Sequence, residues 1–294
     1  MTTWFIATLV ATVLAGISNF ALKALSRHNY RSEIFLFYSG LTSVLVFGLL
    51  VGLFSRESWS AEVVVWLVVL SGLLSSISER GKLKGLRYID STIFFPLYKL
   101  LGPLFMVLGG LFLFSEEYSA TEWWGIGLGL IVPLLLITKK ESKRQRNLSL
   151  GLAFVLLVAV ASAGSAFLEK YVVSQGISAV VALWYLSLGM LVGSFVTITK
   201  RCGGQRIWSF IYNNTKPGLV FWSIIEALFL GAATLLIFYA YNNGGSLGIV
   251  QIIYSFYMVI TIILSIIFFR EHISWRKLLA IALSTVAVIF VGGG

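Results

Sequence analysis

The chain has 294 residues, of which 58% are hydrophobic and 12% are charged, and its mean hydropathy is +0.93. An ordinary soluble domain carries about twice this charge and less apolar content, so the composition excludes a soluble globular protein. The net charge of +10 would suit an anionic partner such as a nucleic acid, but the charges lie between apolar segments, as in a membrane protein.

Ten apolar runs follow one another along the chain. At about 17 to 24 residues, each is long enough to cross a hydrocarbon layer of ~30 Å as a helix. Lipid offers no hydrogen-bond partner to a backbone, so runs of this length predict helices rather than strands. The connections are too short to fold alone, and we expect any binding site to lie between the helices. The runs are 3–22, 34–54, 61–78, 91–114, 121–138, 149–168, 178–199, 218–241, 246–269 and 275–292.

The second half of the chain repeats features of the first. The fourth and ninth runs both begin with serine and end in a Phe-x-Glu-x-x-Ser turn, whose glutamates Glu116 and Glu271 are 155 positions apart. At a similar spacing of 147 positions, Ser18 of the first run matches Ser165 of the sixth. This pattern predicts a tandem duplication.

The duplication sets the predicted domain organisation. Residues 1–140 form the first five-helix repeat and residues 149–294 form the second, within one integral membrane domain. Because five is an odd number, the second repeat must enter the membrane in the opposite sense. The predicted fold is therefore all-α, with ten transmembrane helices in two inverted five-helix repeats.

The basic residues predict an orientation. Of the 22 lysines and arginines, nineteen fall in connections on one side of the membrane, two fall on the other side, and Lys99 lies inside the fourth run. By the positive-inside rule the richer side faces the cytoplasm, which predicts a cell (inner) membrane protein with extracytoplasmic termini. Binding of lipid headgroups is the alternative role for these basic connections. The connection between the third and fourth runs supplies Arg80, Lys82, Lys84 and Arg87.

Two ionisable residues lie inside apolar runs. At 1.5 Å per residue, Lys99 is roughly 12 Å deep in the fourth run and Glu226 is roughly 10 Å deep in the eighth. A charge at such a depth costs about 2.5 to 3.5 kcal/mol, so we expect neither side chain to face lipid. One interpretation is a structural ion pair, or a lysine that reaches back to the surface. The other is a polar cavity that holds a charged or zwitterionic substrate, or a coupling proton on Glu226.

The fourth run also contains Pro96 and Pro103, seven residues apart and so on nearly the same face. Each proline removes a helical hydrogen bond, which favours a bent helix with carbonyls freed toward a cavity; a simple packing kink is the alternative. We assign both prolines as candidate kink or gating residues.

Polar and aromatic residues at inner positions complete the candidate binding site. The ninth run has Gln251, Tyr254 and Tyr257 where the fourth has Pro96, Lys99 and Gly102, so the halves differ where a ligand would be recognised. Aromatic rings at such positions can stack on a ligand or hold a cation, although plain helix packing is the alternative for each. Besides Lys99 and Glu226, the predicted substrate-binding residues are Tyr98, Trp222, Gln251, Tyr254 and Tyr257.

With its ten helices, two five-helix repeats and paired Phe-x-Glu-x-x-Ser turns, the chain resembles the drug/metabolite transporter superfamily, in particular its EamA-type members. The resemblance implies a secondary carrier with a cavity formed by the third, fourth, eighth and ninth helices. It leaves the substrate open among amino acids, choline, sugars and nucleotide sugars. It also implies that both termini are cytoplasmic. The bias of the basic residues predicts the opposite orientation, and we follow that bias. Small multidrug relatives use an acid in the first helix, which is absent here, so Glu226 is the candidate for a coupling proton.

The predicted function is secondary active transport of a small polar or zwitterionic, amino-acid-like metabolite by alternating access. Lys99 would meet the anionic group of the substrate, and Glu226 its ammonium group or a proton. The alternatives are a flippase for a lipid-linked metabolite, a multidrug or cation exporter, and a non-transport scaffold. The expected partners are the substrate, the bilayer and a proton. No cofactor, metal, nucleic acid or enzymatic activity is expected, since the runs lack catalytic and metal-ligand spacings.

Overall fold

The structure is a computed structural model that describes residues 2–27, 30–54, 63–85, 88–89, 91–136, 147–202, 206–269 and 274–292. Within these ranges every regular element is an α-helix, as predicted. The helices are α1 (Thr3–Arg27), α2 (Ser32–Phe54), α3 (Val63–Gly85), α4 (Ser91–Leu113), α5 (Ala120–Leu135), α6 (Leu148–Ser174), α7 (Ala179–Arg201), α8 (Ile207–Asn214), α9 (Pro217–Asn242), α10 (Leu247–Ser255), α11 (Tyr257–Phe269) and α12 (Trp275–Gly292).

The apolar runs form membrane-spanning helices. In the described part of the chain, nine segments are long and apolar enough to cross a membrane, with α10 and α11 together forming one of them. The tenth run forms α12, while the fifth forms α5, whose 16 residues extend only about 24 Å. The short helix α8 exposes Trp208 and Tyr212, side chains typical of a membrane interface. The predicted all-α, multi-pass membrane fold is confirmed.

Local sequence signals set several helix ends. Ser119 caps α5 by accepting a hydrogen bond from the Glu122 backbone, and the Glu122 carboxylate accepts one from Ser119 N in return. Asn147 caps α6 in the same way through Leu150 N. After α9, Gly244 adopts a φ of +89°, which glycine accepts without a steric penalty and which reverses the chain.

Several helices extend beyond their predicted ends, including α1, which continues past residue 22 to Arg27. The third run was expected to stop at residue 78, but α3 continues to Gly85, and α6 continues past the expected end at 168 to Ser174. The assignment of Lys82 to a cytoplasmic connection is therefore corrected: Lys82 lies in α3, as do Arg80 and Lys84. The reason is that charged residues can continue a spanning helix when they face protein groups instead of lipid. Arg87 lies outside the described residues.

The ninth run forms two helices instead of one. The helical hydrogen bonding is interrupted at Phe256, between α10 and α11. In contrast, α4 is a single helix through both Pro96 and Pro103. A discontinuity in a spanning helix needs neighbouring protein groups or a cavity to satisfy its backbone.

Most helix contacts join the first half of the chain to the second. Helix α1 packs against α9 and α11, α6 packs against α3 and α4, and α2 packs against α7. Helices α5 and α12 form a further pair, and α4 packs against α10. The largest apolar cluster includes Phe47, Val68, Leu183 and Phe238, where α2, α3, α7 and α9 meet. The two halves are thus interleaved within one bundle.

Two of these pairs join segments that the predicted duplication makes equivalent. Along α2 and α7, Gly40 lies against Leu191 while Gly48 lies against Trp184, so these helices run in opposite directions. Along α4 and the α10–α11 segment, Lys99 contacts Tyr257 while Val107 lies against Gly248. These segments also run in opposite directions.

Helices α3 and α7 approach each other most closely at two glycines. A Cβ atom added to Gly72 would lie 2.9 Å from the Cα atom of Gly189, and one added to Gly189 would lie 3.0 Å from the Cα atom of Gly72. Both distances are shorter than normal packing allows, so only glycine permits this contact. The contact brings a first-half helix against a second-half helix beside the cavity described below.

We predict that Gly72→Ala lowers stability by about 1 to 3 kcal/mol, because the new methyl group must push the two backbones apart. Gly127→Ala is the matched control, since a Cβ there would meet nothing within 4 Å. The control should be neutral, or more stable by up to about 1 kcal/mol from helix propensity. Thermal unfolding of the purified variants in detergent tests this. Equal melting temperatures for the two variants would contradict the close approach.

Candidate functional site

A cavity of about 200 Å³ lies between the two halves of the chain. Helices α1, α3, α4, α6, α7 and α9 and the α10–α11 segment all contribute to its wall. Six of the seven predicted binding residues line it, together with Pro103; the six are Tyr98, Lys99, Glu226, Gln251, Tyr254 and Tyr257. The break between α10 and α11 also reaches the cavity through Ser255 and Tyr257.

Two predicted residues are not part of the cavity wall. Trp222 packs against the rings of Phe20 and Phe221, at centroid distances of 6.5 and 5.5 Å. Pro96 is buried but is absent from the lining. Trp222 lies one turn before Glu226 on α9, toward the start of that helix, where α1 covers it instead of leaving it open to the cavity.

The ammonium group of Lys99 is held by aromatic side chains. Lys99 Nζ donates a hydrogen bond to Tyr257 Oη, and it lies 3.8 Å from the ring centroid of Tyr257 and 4.8 Å from that of Tyr98. Ring faces attract cations, which offsets part of the lost hydration. Among the described residues no carboxylate lies within 4.0 Å of Lys99. Lys99 and Glu226 therefore do not form the direct ion pair that was one interpretation of the sequence.

The carboxylate of Glu226 is buried and is held by a hydroxyl group. Glu226 is 5% exposed and accepts a hydrogen bond from Ser39 of α2. In the described ranges it has no lysine or arginine within 4.0 Å. A buried carboxylate without a cation is a costly arrangement, which points to a role for this group beyond packing.

Three further charged residues line the cavity that the sequence analysis did not select: Glu79, Lys82 and Glu169. Lys82 Nζ lies 2.5 Å from Glu79 Oε1 and 4.9 Å from the ring centroid of Tyr98. The sequence did contain a signal for Glu79. It lies 147 positions before Glu226, which is the same spacing that relates Ser18 to Ser165. From the sequence, Glu79 and Glu169 were interpreted as solvated caps or gate residues at the ends of apolar runs, and Lys82 was placed in a basic connection.

A second cluster of charged residues connects the turn after α4 to the second half of the chain through an ion pair and hydrogen bonds. Glu116 forms an ion pair with Lys170 of α6 and accepts a hydrogen bond of 2.7 Å from Tyr118 Oη. It also accepts hydrogen bonds from the backbone N–H groups of Leu247 and Gly248 at the start of α10, at 2.5 and 3.3 Å. A carboxylate at this position is stabilised by the positive end of the helix dipole. Its counterpart, Glu271, lies outside the described residues.

The same contacts change the acidity of both side chains in this turn. Burial disfavours the charged form of Glu116, but the hydrogen bonds from Lys170, Tyr118 and Leu247 outweigh it and hold the pKa of Glu116 below its usual value. Burial and the hydrogen bond to Glu116 raise the pKa of Tyr118. Glu116 is therefore ionised, and Tyr118 is a hydrogen-bond donor, at neutral pH.

Among the residues that the structure describes, no group of three or more His, Cys, Asp or Glu side chains could hold a metal ion.

Comparisons with known proteins identify the family. The model of the EamA-like transporter family matches residues 149–293. This half of the chain belongs to the EamA-like transporter family. EamA-like proteins are part of the drug/metabolite transporter superfamily, so the resemblance noted from the sequence is confirmed, and the protein is a membrane transporter of this type.

The likeness in fold to a solved structure covers nearly the whole chain. A protein of known crystal structure superposes on 97% of this chain and 98% of its own, with a TM-score of 0.73 at 16% sequence identity. At this identity the likeness establishes the fold alone. No curated protein sequence matches the chain.

We predict that Glu116→Gln destabilises the protein at neutral pH by roughly 3 to 5 kcal/mol, because Lys170 is left buried without its partner. Glu117→Gln is the control, since Glu117 is exposed beside it. A lowered folded pKa gives stability that is present above the unfolded value of about 4.3 and is lost as the pH falls through the folded value.

The difference in melting temperature between wild type and Glu116→Gln should therefore shrink progressively below about pH 4.3. The double variant Glu116→Gln/Lys170→Gln should lose less than the sum of the single losses. A difference that stays constant from neutral pH down to pH ~3, or fully additive losses, would show that the pair does not stabilise the fold.

Proposed function

We propose that this EamA-like protein is an alternating-access carrier for a small zwitterionic metabolite, such as an amino acid, and that the central cavity is its substrate chamber. The observation that carries this proposal is that two groups of opposite charge line one cavity, and neither has an oppositely charged partner among the described residues. Lys99 has no acidic partner, and Glu226 has no basic partner, among the described residues. A zwitterion supplies both missing partners, a carboxylate for Lys99 and an ammonium group for Glu226.

The size of the chamber favours a small substrate. Pockets for drug-sized ligands typically measure about 300–1,000 Å³, whereas this one is about 200 Å³. An amino-acid-like molecule suits that volume better than a drug or a lipid-linked metabolite. The multidrug exporter and the flippase are therefore less well supported, and the cavity itself argues against a scaffold built as a solid bundle.

The aromatic residues are proposed to complete the site. Tyr254 and Tyr257 meet edge to face at 5.5 Å, and Gln251 is oriented by a 2.7 Å hydrogen bond to Tyr241 Oη. An incoming carboxylate would draw Lys99 away from the ring faces of Tyr98 and Tyr257. This exchange of partners ties substrate binding to the position of the α10–α11 break.

Alternating access is proposed because the helix packing has the symmetry that an inverted duplication requires. The contact of α1 with α9 has a counterpart in that of α6 with α3, and the contact of α3 with α7 has one in that of α9 with α2. The antiparallel α2–α7 pair supports opposite orientations of the two repeats, 1–140 and 149–294. In such folds one repeat rocks against the other around a central site. Pro103 and the α10–α11 break are the proposed flexible points.

The membrane location and orientation of the protein are proposed from the distribution of its basic residues. We infer a cell (inner) membrane with both termini on the extracytoplasmic side, because most lysines and arginines still fall on one side after Lys82 is assigned to the chamber.

We predict that Lys99→Met and Glu226→Gln each slow amino-acid exchange in proteoliposomes by roughly 10- to 100-fold, the loss expected for one hydrogen bond to a charged group. The probe is a set of radiolabelled amino acids, each added outside vesicles that hold the same amino acid unlabelled. The matched controls are Lys84→Met and Glu117→Gln, which remove exposed charges and should exchange at the wild-type rate.

Two competitors sharpen this test. An amino-acid methyl ester lacks the carboxylate and a simple carboxylic acid lacks the ammonium group, so neither should compete with the labelled substrate. Wild-type rates in both Lys99→Met and Glu226→Gln would contradict the site assignment. Absence of exchange for every amino acid tested would contradict the zwitterionic substrate.

A further inference from the structure

A third carboxylate of the chamber, Glu169, lies in a cluster of serine hydroxyls where α3 meets α6. Ser71 Oγ and Ser165 Oγ donate to Glu169 Oε1 at 2.9 and 2.7 Å. Ser165 Oγ lies 2.8 Å from the hydroxyls of both Ser71 and Ser75. Ser71 is 0% and Ser165 3% exposed, so these hydroxyls are shielded from lipid and fixed in position.

The lysines around Glu169 are engaged with other groups. The adjacent Lys170 pairs with Glu116, Lys82 pairs with Glu79, and Lys99 bonds to Tyr257. Within the described ranges no lysine or arginine lies within 4.0 Å of the Glu169 carboxylate. Glu169 is thus a chamber carboxylate inside a spanning helix with hydroxyl partners alone.

The helices that face Glu169 offer no unpaired positive charge to balance its carboxylate. The titratable groups on them are Glu79 and Lys82 of α3, Tyr98 and Lys99 of α4, Tyr241 and Glu226 of α9, and Tyr254 of α10. Their carboxylates repel a second negative charge, and their two lysines are already bonded elsewhere. An isolated carboxylate in such surroundings takes up a proton instead of staying ionised.

The two oxygens of Glu169 have different surroundings. Both serine hydroxyls donate to Oε1, whereas no described residue donates a hydrogen bond to Oε2. Glu169 also lines the cavity, so Oε2 is the oxygen that we assign to the proton. A proton delivered by hydronium would form the O–H bond at Oε2 and leave water behind. Its release to water on the other side reverses the step.

We propose that Glu169 is the coupling-proton site of this carrier, separate from the substrate site at Lys99 and Glu226. The proposal rests on the transport function proposed above, and it replaces Glu226 as the candidate for the proton. Glu226 then serves the ammonium group of the substrate throughout the cycle. The serines act as positioning residues, since they fix Oε1 and leave Oε2 for the proton.

The experiment compares two transport modes of the same proteoliposomes. Exchange at equal pH needs only the substrate-loaded carrier, whereas accumulation driven by an imposed pH gradient needs the proton to be bound and released. Glutamine resembles the protonated acid in shape and charge but cannot release a proton. Glu169→Gln should therefore exchange radiolabelled amino acid within about twofold of wild type and lose the accumulation that the pH gradient drives. Glu226→Gln, in contrast, should lose both modes.

A second variant gives an independent readout. Ser165→Ala removes a hydroxyl that favours the ionised carboxylate, so the pH profile of driven accumulation should shift upward by about one pH unit, as expected for one lost hydrogen bond. A purely structural role for Ser165 would lower the rate at every pH without moving the profile. The melting temperature of each variant confirms that it is folded.

Several results would overturn the proposal. Glu169→Gln that still concentrates substrate under a pH gradient would exclude Glu169 as the proton site. Loss of exchange in folded Glu169→Gln would assign Glu169 to the substrate site instead, while the carrier function stands. Wild-type accumulation driven by a sodium gradient and not by a pH gradient would show that the coupling ion is not a proton. Absence of wild-type exchange would instead reject the proposed function itself.

Discussion

A charged group within a membrane-spanning helix must find substitutes for the water it has lost, and this constraint shapes the centre of the molecule. Each charge here meets a different substitute. Lys99 lies on tyrosine rings, Glu226 and Glu169 accept from serine hydroxyls, and Glu79 pairs with Lys82. Three of these partners, Tyr257, Ser39 and Ser71, come from the other half of the chain. Lys99, Glu226 and Glu169 therefore keep all their partners only when the two halves interleave.

The predicted duplication pairs positions that carry different chemistry in the two halves of the chain. Glu79 and Glu226 are 147 positions apart, yet the first pairs with a lysine and the second with a serine. Lys99 and Tyr254 are 155 positions apart, and both line the cavity with unlike groups. The cavity is thus lined by unlike groups at the positions that the predicted duplication pairs. Such a chamber suits a substrate whose two ends carry opposite charges.

The sequence predicted the parts of this architecture that depend on long apolar runs. Because a spanning helix requires about 20 apolar residues, the order and approximate positions of the spanning segments could be read directly, whereas α8 and the division of the ninth run could not. Lys99 and Glu226 stood out because they interrupt such runs, and both line the cavity. Glu79, Lys82 and Glu169 were missed because they follow the last apolar residue of a run, where a helix end and a cavity wall look the same in sequence.

Other features depended on tertiary packing, and a single sequence carries little signal for them. Trp222 is an aromatic residue of the type expected in a cavity wall, but the ring of Phe20 packs against it. The break at Phe256 has neither proline nor glycine beside it, so local sequence gave no reason to expect it. The serine pattern around Glu169 emerges only when α3 and α6 lie side by side.

The central claim is that the charges of both halves face one chamber that water can enter. Cysteine labelling tests it most directly, in a Cys202→Ala background that removes the one native cysteine. We predict that Ser75→Cys and Thr234→Cys, at cavity positions on α3 and α9, react with a membrane-impermeant thiol reagent and are protected by substrate. Leu228→Cys, at an exposed apolar position of α9, should stay unlabelled in the bilayer. Chamber cysteines that resist the reagent from both sides of the membrane would contradict the account.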